Sequence, residues 1–195
     1  MTVDGRGRSR TSGDDGGVVW LTSAVGCGFA GGRTAGDDRG GLGARSAVIE
    51  PIRLTYDVHC PRDYAFEIWT TGIHWWWPAD HTASGEGDTN VVLEGRVGGR
   101  IFERTKSGVE HEWGEVTIWE PPSRLGYLWH LRRDRADATE VEIRFVARGP
   151  VTTRLEIEHR GWERLGTGGE EQRDRNRGGW ATLLRQFAFF ASAGW

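Results

Sequence analysis

Apolar residues are sparse and unpatterned over residues 1–46, which are rich in Gly, Arg, Asp, Ser and Thr. Such a segment buries too little surface to offset its ordering entropy, so a disordered tail is expected there and an ordered domain over 47–195. A short apolar run from Val18 to Cys27 faintly resembles a lipoprotein leader. Asp14 and Asp15 stand where a leader is positive, and Thr22 and Ser23 interrupt the run, which argues against export. From Ile49 to Val58 the chain alternates, with Ile52, Leu54, Tyr56 and Val58 on one side, the pattern of a half-buried strand. Pro61 and Asp63 suit the first turn of a helix carrying Ala65, Ile68 and Trp69 on one stripe. Gly72 ends it, and Ile73 to Pro78 makes a second short helical turn stopped by proline.

A polar, glycine-rich loop over 79–89 precedes strands expected at Asn90–Glu94, Gly99–Thr105, His111–Trp119, Arg124–Leu131, Thr139–Ala147 and Val151–His159. Breakers at Gly98-Gly99, Pro121-Pro122 and Gly149-Pro150 separate them, and no helical pattern intervenes, so an antiparallel meander is predicted. The period then changes. Trp180, Leu183, Leu184, Phe187 and Phe190 recur at helical steps on one face of a long terminal helix. The expected class is α+β: a curved antiparallel sheet of about six to seven strands wrapped around that helix, with two short helices after the first strand.

Composition narrows the function. The length of 195 residues suits one domain and a tail, and the net charge of −3 gives no basis for nucleic-acid binding. No stretch approaches the ~20 apolar residues that span a bilayer, so no membrane role is expected. Cys27 and Cys60 fit neither a zinc spacing nor a disulfide framework, which points to a reducing, cytoplasmic setting and to no metal. Eleven tryptophans mark an aromatic interior.

Catalytic motifs are missing: there is no GxSxG, HExxH, GxxxxGK[ST] or GxGxxG, and no cofactor is expected. Cys60, before Pro61 at a helix start, sits where a dipole can lower a thiol's pKa, but no partner is visible. His111, Trp113 and Glu115 alternate onto one strand face, although residues at i and i+4 of a strand lie ~13 Å apart. His159 shares a face with Val151, Thr153, Leu155 and Ile157, where a histidine is usually a satisfied core residue.

The run of landmarks resembles one family. They are Pro61 with Trp69, the Trp75–Trp77 cluster, Gly98-Gly99, Gly114 with Val116, Pro121-Pro122 with Arg124-Leu125, Trp129, Thr153, Leu155, His159 and Gly179-Trp180. Together they resemble the activators of heat-shock-protein-90 ATPase within the START-like (SRPBCC) superfamily, which has the helix-grip fold and its bacterial stand-alone members. The resemblance implies a hydrophobic cavity between sheet and terminal helix, with Trp76, Phe102, Trp113, Trp129, His130 and Phe187 as lining residues. It implies a non-enzymatic binding module for a small hydrophobic molecule, with catalytic residues none. An enzyme of the polyketide-cyclase kind in the same cavity is the alternative; His111, His130, Glu103 and Arg144 are its candidates if they point inward. A homodimer is compatible with the resemblance. Action on the chaperone itself is not expected, because the eukaryotic activators' additional N-terminal domain has no counterpart in the 46-residue tail.

Overall fold

The computed structural model describes residues 48–194. The tail expected over 1–46, with Cys27, lies outside the described residues. Strand β1, Ile52–Val58, leads into helix α1, Arg62–Thr70, and the four-residue α2, Ile73–Trp76. Pro61 occupies the N-cap of α1, where the missing N–H costs nothing, and its carbonyl accepts from the Ala65 amide at 2.9 Å. Strands β2 (Asn90–Leu93), β3 (Arg100–Arg104), β4 (Glu110–Glu120), β5 (Arg124–Trp129), β6 (Thr139–Gly149) and β7 (Thr152–Arg160) follow. After a 3₁₀ segment at Trp162–Gly168, helix α3 runs from Gly169 to Ala193.

The seven strands form one antiparallel sheet in the order β1-β7-β6-β5-β4-β3-β2. The sheet is therefore a meander from β2 to β7, closed at the far edge by β1, and it curls around α3. At the β2–β3 turn, Gly98 has φ 74°, and a Cβ on Gly99 would sit 2.2 Å from the Glu94 carbonyl oxygen. Only glycine fits both positions.

The inner face is apolar: Val116, Leu125, Ile143, Phe145, Leu155 and Ile157 are buried there. Phe145 and Phe66 pack edge-on at 5.2 Å, and Trp69 lies 4.7 Å from Phe187 and 5.0 Å from Trp76. This half of the space between sheet and α3 is solid. The outer face is a lattice of arginines and carboxylates. Arg124 grips Glu142 at 3.0 Å, Arg160 grips Glu140 at 3.0 Å, and Arg154 grips Asp57 at 2.7 Å. The Arg124 guanidinium holds the Glu142 carboxyl below its usual range.

Strand β4 carries two irregularities, opposite Ile101/Phe102 and at Val116/Ile118. The first changes a sequence expectation. Trp113 is the extra residue of the bulge and turns wholly inward, whereas Glu115 points out to Arg135 at 2.8 Å. His111, Trp113 and Glu115 thus do not share a face, because the bulge interrupts the two-residue alternation.

Candidate functional site

Beyond the solid half of the core, a cavity of about 40 Å³ remains between the sheet and α3. Strand alternation on β5 brings Tyr127 and Trp129 to its floor, with Val141 of β6 and His159 of β7 beside them. Helical spacing brings Asn176, Trp180 and Leu183 of α3 to the opposite wall. Trp77 and His81, from the segment after α2, form the roof. The aromatic rings form a connected layer: Trp113 lies 5.0 Å from Trp77 and 5.7 Å from Trp129, and Tyr127 lies 6.0 Å from Trp129.

The polar groups of this wall differ sharply in how they are used. His159 is fully engaged. The Trp180 indole N–H donates to its Nδ1 at 3.2 Å, so its Nε2–H donates to Thr139 Oγ1 at 2.8 Å, and that hydroxyl donates to the Trp129 carbonyl at 3.2 Å. Burial pushes the imidazole down to about 3, so it is neutral and acts as a fixed strut. Tyr127, only 7% exposed, makes no hydrogen bond among the described residues, and burial pushes its phenol up, keeping it protonated. The Asn176 amide nitrogen donates to the Gln172 carbonyl at 2.8 Å, leaving its own carbonyl oxygen to the cavity. His81 Nδ1 meets the Asp80 carboxylate at 2.8 Å.

The roof is tied down at few points. The Trp77 indole donates to the His81 carbonyl at 2.9 Å. Glu103, wholly buried on the inner face of β3, accepts from the backbone amides of Ala83 and Ser84, both at 2.6 Å. Arg132, from the β5–β6 connection, donates to the Ala83 carbonyl.

The residues expected to line a cavity are distributed unevenly. Trp129 stands on the wall itself. Trp113 backs that wall, its indole N–H lacking an acceptor among the described residues, while Trp76, which donates to the Ile68 carbonyl at 2.8 Å, and Phe187 belong to the solid half. Phe102 lies on the outer face instead, under the guanidinium of Arg100 at 4.3 Å, because Ile101 and Glu103 on either side of it turn inward. His130 also faces outward, with Nε2 3.5 Å from Glu112.

Of the catalytic candidates, Glu103 is inward but consumed by the roof amides, and Arg144 lies outside, 2.9 Å from Glu142. Cys60 departs from expectation: burial, with Asp63 adding to it, pushes the thiol up to about 11, so the helix start does not activate it. Among the described residues no cluster of three or more His, Cys, Asp or Glu could hold a metal ion. Sequence reasoning passed over Tyr127, Asn176, Trp180 and Leu183 as lining residues. Tyr127 stands two residues before Trp129 on the same strand, and Asn176 and Leu183 flank Trp180 at helical steps, so the signal was available once one wall residue was fixed.

Comparisons with known proteins place the chain. A family model described as Activator of Hsp90 ATPase homolog 1-like protein matches residues 59–191. The anthrahydroquino-Gama-pyrone synthase Txn09, in its complex with SUM, is 28% identical with a TM-score of 0.53, covering 72% of this chain and 96% of its own. A self-sacrificing resistance protein, CalC from Micromonospora echinospora, is 27% identical with a TM-score of 0.55, covering 74% of this chain and 95% of its own. The Aha1 dimer from Colwellia psychrerythraea, 15% identical with a TM-score of 0.54 over 75% of this chain and 98% of its own, shares the fold. Comparison with curated protein sequences yields no match. With the model spanning most of the described sheet and all but the last turn's end of α3, this chain belongs to the Activator of Hsp90 ATPase homolog 1-like protein family.

Proposed function

We propose that the protein binds a small, planar aromatic molecule in the cavity between Trp129 and α3, holding it without transforming it. One observation carries this reading: a protonated, almost fully buried phenol, Tyr127, with no hydrogen-bond partner among the described residues, on a wall otherwise made of tryptophan rings. The Tyr127 hydroxyl opens onto the cavity, and a ligand carbonyl or ether oxygen would give it an acceptor worth about 0.5–1.5 kcal/mol. The rings offer stacking surfaces, and the inward imidazole of His159 and carboxylate of Glu103 are both consumed by structural bonds. The likeness to a synthase of a fused-ring product supports an aromatic ligand class.

The cavity as it stands has room for about three or four water molecules at ~10–15 Å³ each, so a ligand enters by lifting the roof over 77–89. Titration with 9,10-anthraquinone, read by tryptophan fluorescence and thermal shift, tests the reading. Quenching with a rise in Tm is expected, and Tyr127→Phe weakens binding about tenfold, the worth of ~1.4 kcal/mol. Absence of any stabilisation by fused-ring aromatics would sink it.

A second reading, an enzyme acting in the same cavity, is favoured by His81. Its ring reaches the cavity and its Nδ1 is held by Asp80, the arrangement that orients an imidazole as a general base. Turnover of a poly-β-keto thioester that disappears in His81→Phe while binding persists would replace the first reading with the second.

A further inference from the structure

Next to the aromatic cavity lies a second hollow, of about 60 Å³, that shares Trp129, Leu131 and Asn176 with it as a common wall. Its character is different. Arg132 and Arg133 of the β5–β6 connection, Gln172 and Arg175 of α3, and Thr82 of the roof surround it, and Asp137 is the carboxylate on this rim.

On the outer face of the sheet, arginines such as Arg124, Arg135, Arg154 and Arg160 each meet a carboxylate within about 3 Å. At this rim Arg175 is likewise engaged, with Glu171. Arg132 and Arg133 are not: the first donates to the Ala83 carbonyl and the second to Gln172 Oε1 at 3.4 Å, and neither has an ion pair among the described residues. Two guanidinium groups therefore stand at the mouth of an aromatic chamber, near Asp134, Asp137 and Glu112 but in an ion pair with none of them among the described residues. The backbone holds one of them there at a cost. Arg132 has φ 58°, at the third position of the turn closed by the Arg133 amide on the His130 carbonyl at 2.7 Å, a position that normally takes glycine.

Building on the binding role proposed above, the geometry points to a ligand that is an aromatic acid. Its fused rings occupy the inner chamber against Trp129 and Trp180, a ring oxygen accepts from Tyr127, and a carboxylate on the end ring sits between Arg132 and Arg133. Planar guanidinium groups match a carboxylate in two-point fashion. Leu131 and Asn176, the wall shared by the two hollows, are where the ligand passes from one to the other. Arg132 then has two duties, since it also fastens the roof through Ala83, so anion capture and roof position are coupled.

The test compares anthraquinone-2-carboxylate with anthraquinone-2-carboxamide, which has the same rings and no charge, on the full chain by tryptophan quenching. The acid is expected to bind at least tenfold more tightly, with an advantage that shrinks as salt rises from 50 to about 500 mM. In Arg133→Gln, which leaves the Arg132–Ala83 bond to the roof in place, the acid's advantage over the carboxamide falls at least threefold, while the carboxamide's affinity stays within threefold of its value in the unsubstituted protein. Equal affinity of acid and amide for the unsubstituted protein overturns the anion subsite and leaves the aromatic cavity standing. Failure of both ligands to bind overturns the cavity reading and this inference with it. Thermal melts of Arg133→Gln separate loss of binding from loss of fold.

Discussion

Arg132 holds a left-handed backbone in a four-residue turn, which costs a non-glycine residue about 1–2 kcal/mol. In most loops glycine is the less stable choice by about 0.4–1 kcal/mol, through the entropy of the unfolded chain. Here the order is expected to invert: Arg132→Gly unfolds at higher urea than Arg132→Ala, by about 1 kcal/mol. A more stable alanine variant would show that position 132 bears no strain. His159 sets a different kind of test. Its folded pKa of about 3 lies below the ordinary value of 6.5, so the unfolded chain takes up a proton that the folded chain refuses. The stability that neutral His159 supports is complete above pH 6.5 and falls as pH drops from there toward 3, by about 1.4 kcal/mol per pH unit. His159→Gln is expected to flatten the limb between pH 6 and 4.5, above the window in which carboxylates such as Glu142 begin to protonate. An unchanged acid limb in urea denaturation at stepped pH would rule the histidine out as its source. The sequence already carried the core role of His159, since its strand neighbours are apolar at every second position. It did not carry the tautomer, because Thr139 and Trp180 lie 20 and 21 residues away and meet the ring only once the sheet has curled around α3.

At the scale of elements, the roof segment is fixed by a carboxylate that belongs to the sheet. Glu103 receives two backbone amides at 2.6 Å and has no other role in the core, so Glu103→Ala leaves both donors unpaired and frees the loop. A loss of about 2–4 kcal/mol is expected from two stranded amides. Amide exchange at Ala83 and Ser84 is expected to rise far more than exchange in β6 or β7, which distinguishes a loosened roof from a loosened domain. Uniform acceleration across the sheet would contradict the latch. The elements themselves were legible. Alternation in β1, the proline before α1, the glycine pair before β3 and the three- and four-residue steps of α3 each report a local periodicity or a forbidden conformation. The expected strands fall within two or three residues of those observed. What local pattern misses is the bulge on β4. Parity counted from His111 puts Glu115 beside Trp113; one inserted residue sends Glu115 out to Arg135 and Trp113 in against Trp77. Phe102 was misplaced for a related reason: a phenylalanine invites an inward reading, yet its neighbours Ile101 and Glu103 take the inner face, and two arginines cover its ring.

For the whole molecule, the division between a solid half and a hollow half follows from how the large side chains meet. Trp69, Trp76, Phe145 and Phe187 meet one another across the space under α1, whereas the rings of Trp77, Tyr127, Trp129 and Trp180 stand around the space under the roof, and Val141, Leu183 and Asn176 between them leave it open. The same contrast gives a way to test function without guessing the ligand. Leu183→Phe adds part of a ring to a void of about 40 Å³ from the α3 wall, beside Trp180. Filling such a void adds packing contacts, so the variant is expected to be as stable as the unsubstituted protein or more stable by up to about 1 kcal/mol. Ligand-dependent stabilisation should vanish, although at a hundredfold excess over Kd it amounts to about 2.7 kcal/mol in the unsubstituted protein. A filled variant that keeps its Tm and loses its response locates binding in this cavity, because unfolding cannot explain the loss. A filled variant that still responds fully to anthraquinone-2-carboxylate places the ligand elsewhere, and the hydroxyl of Tyr127 would then face only water in its cavity.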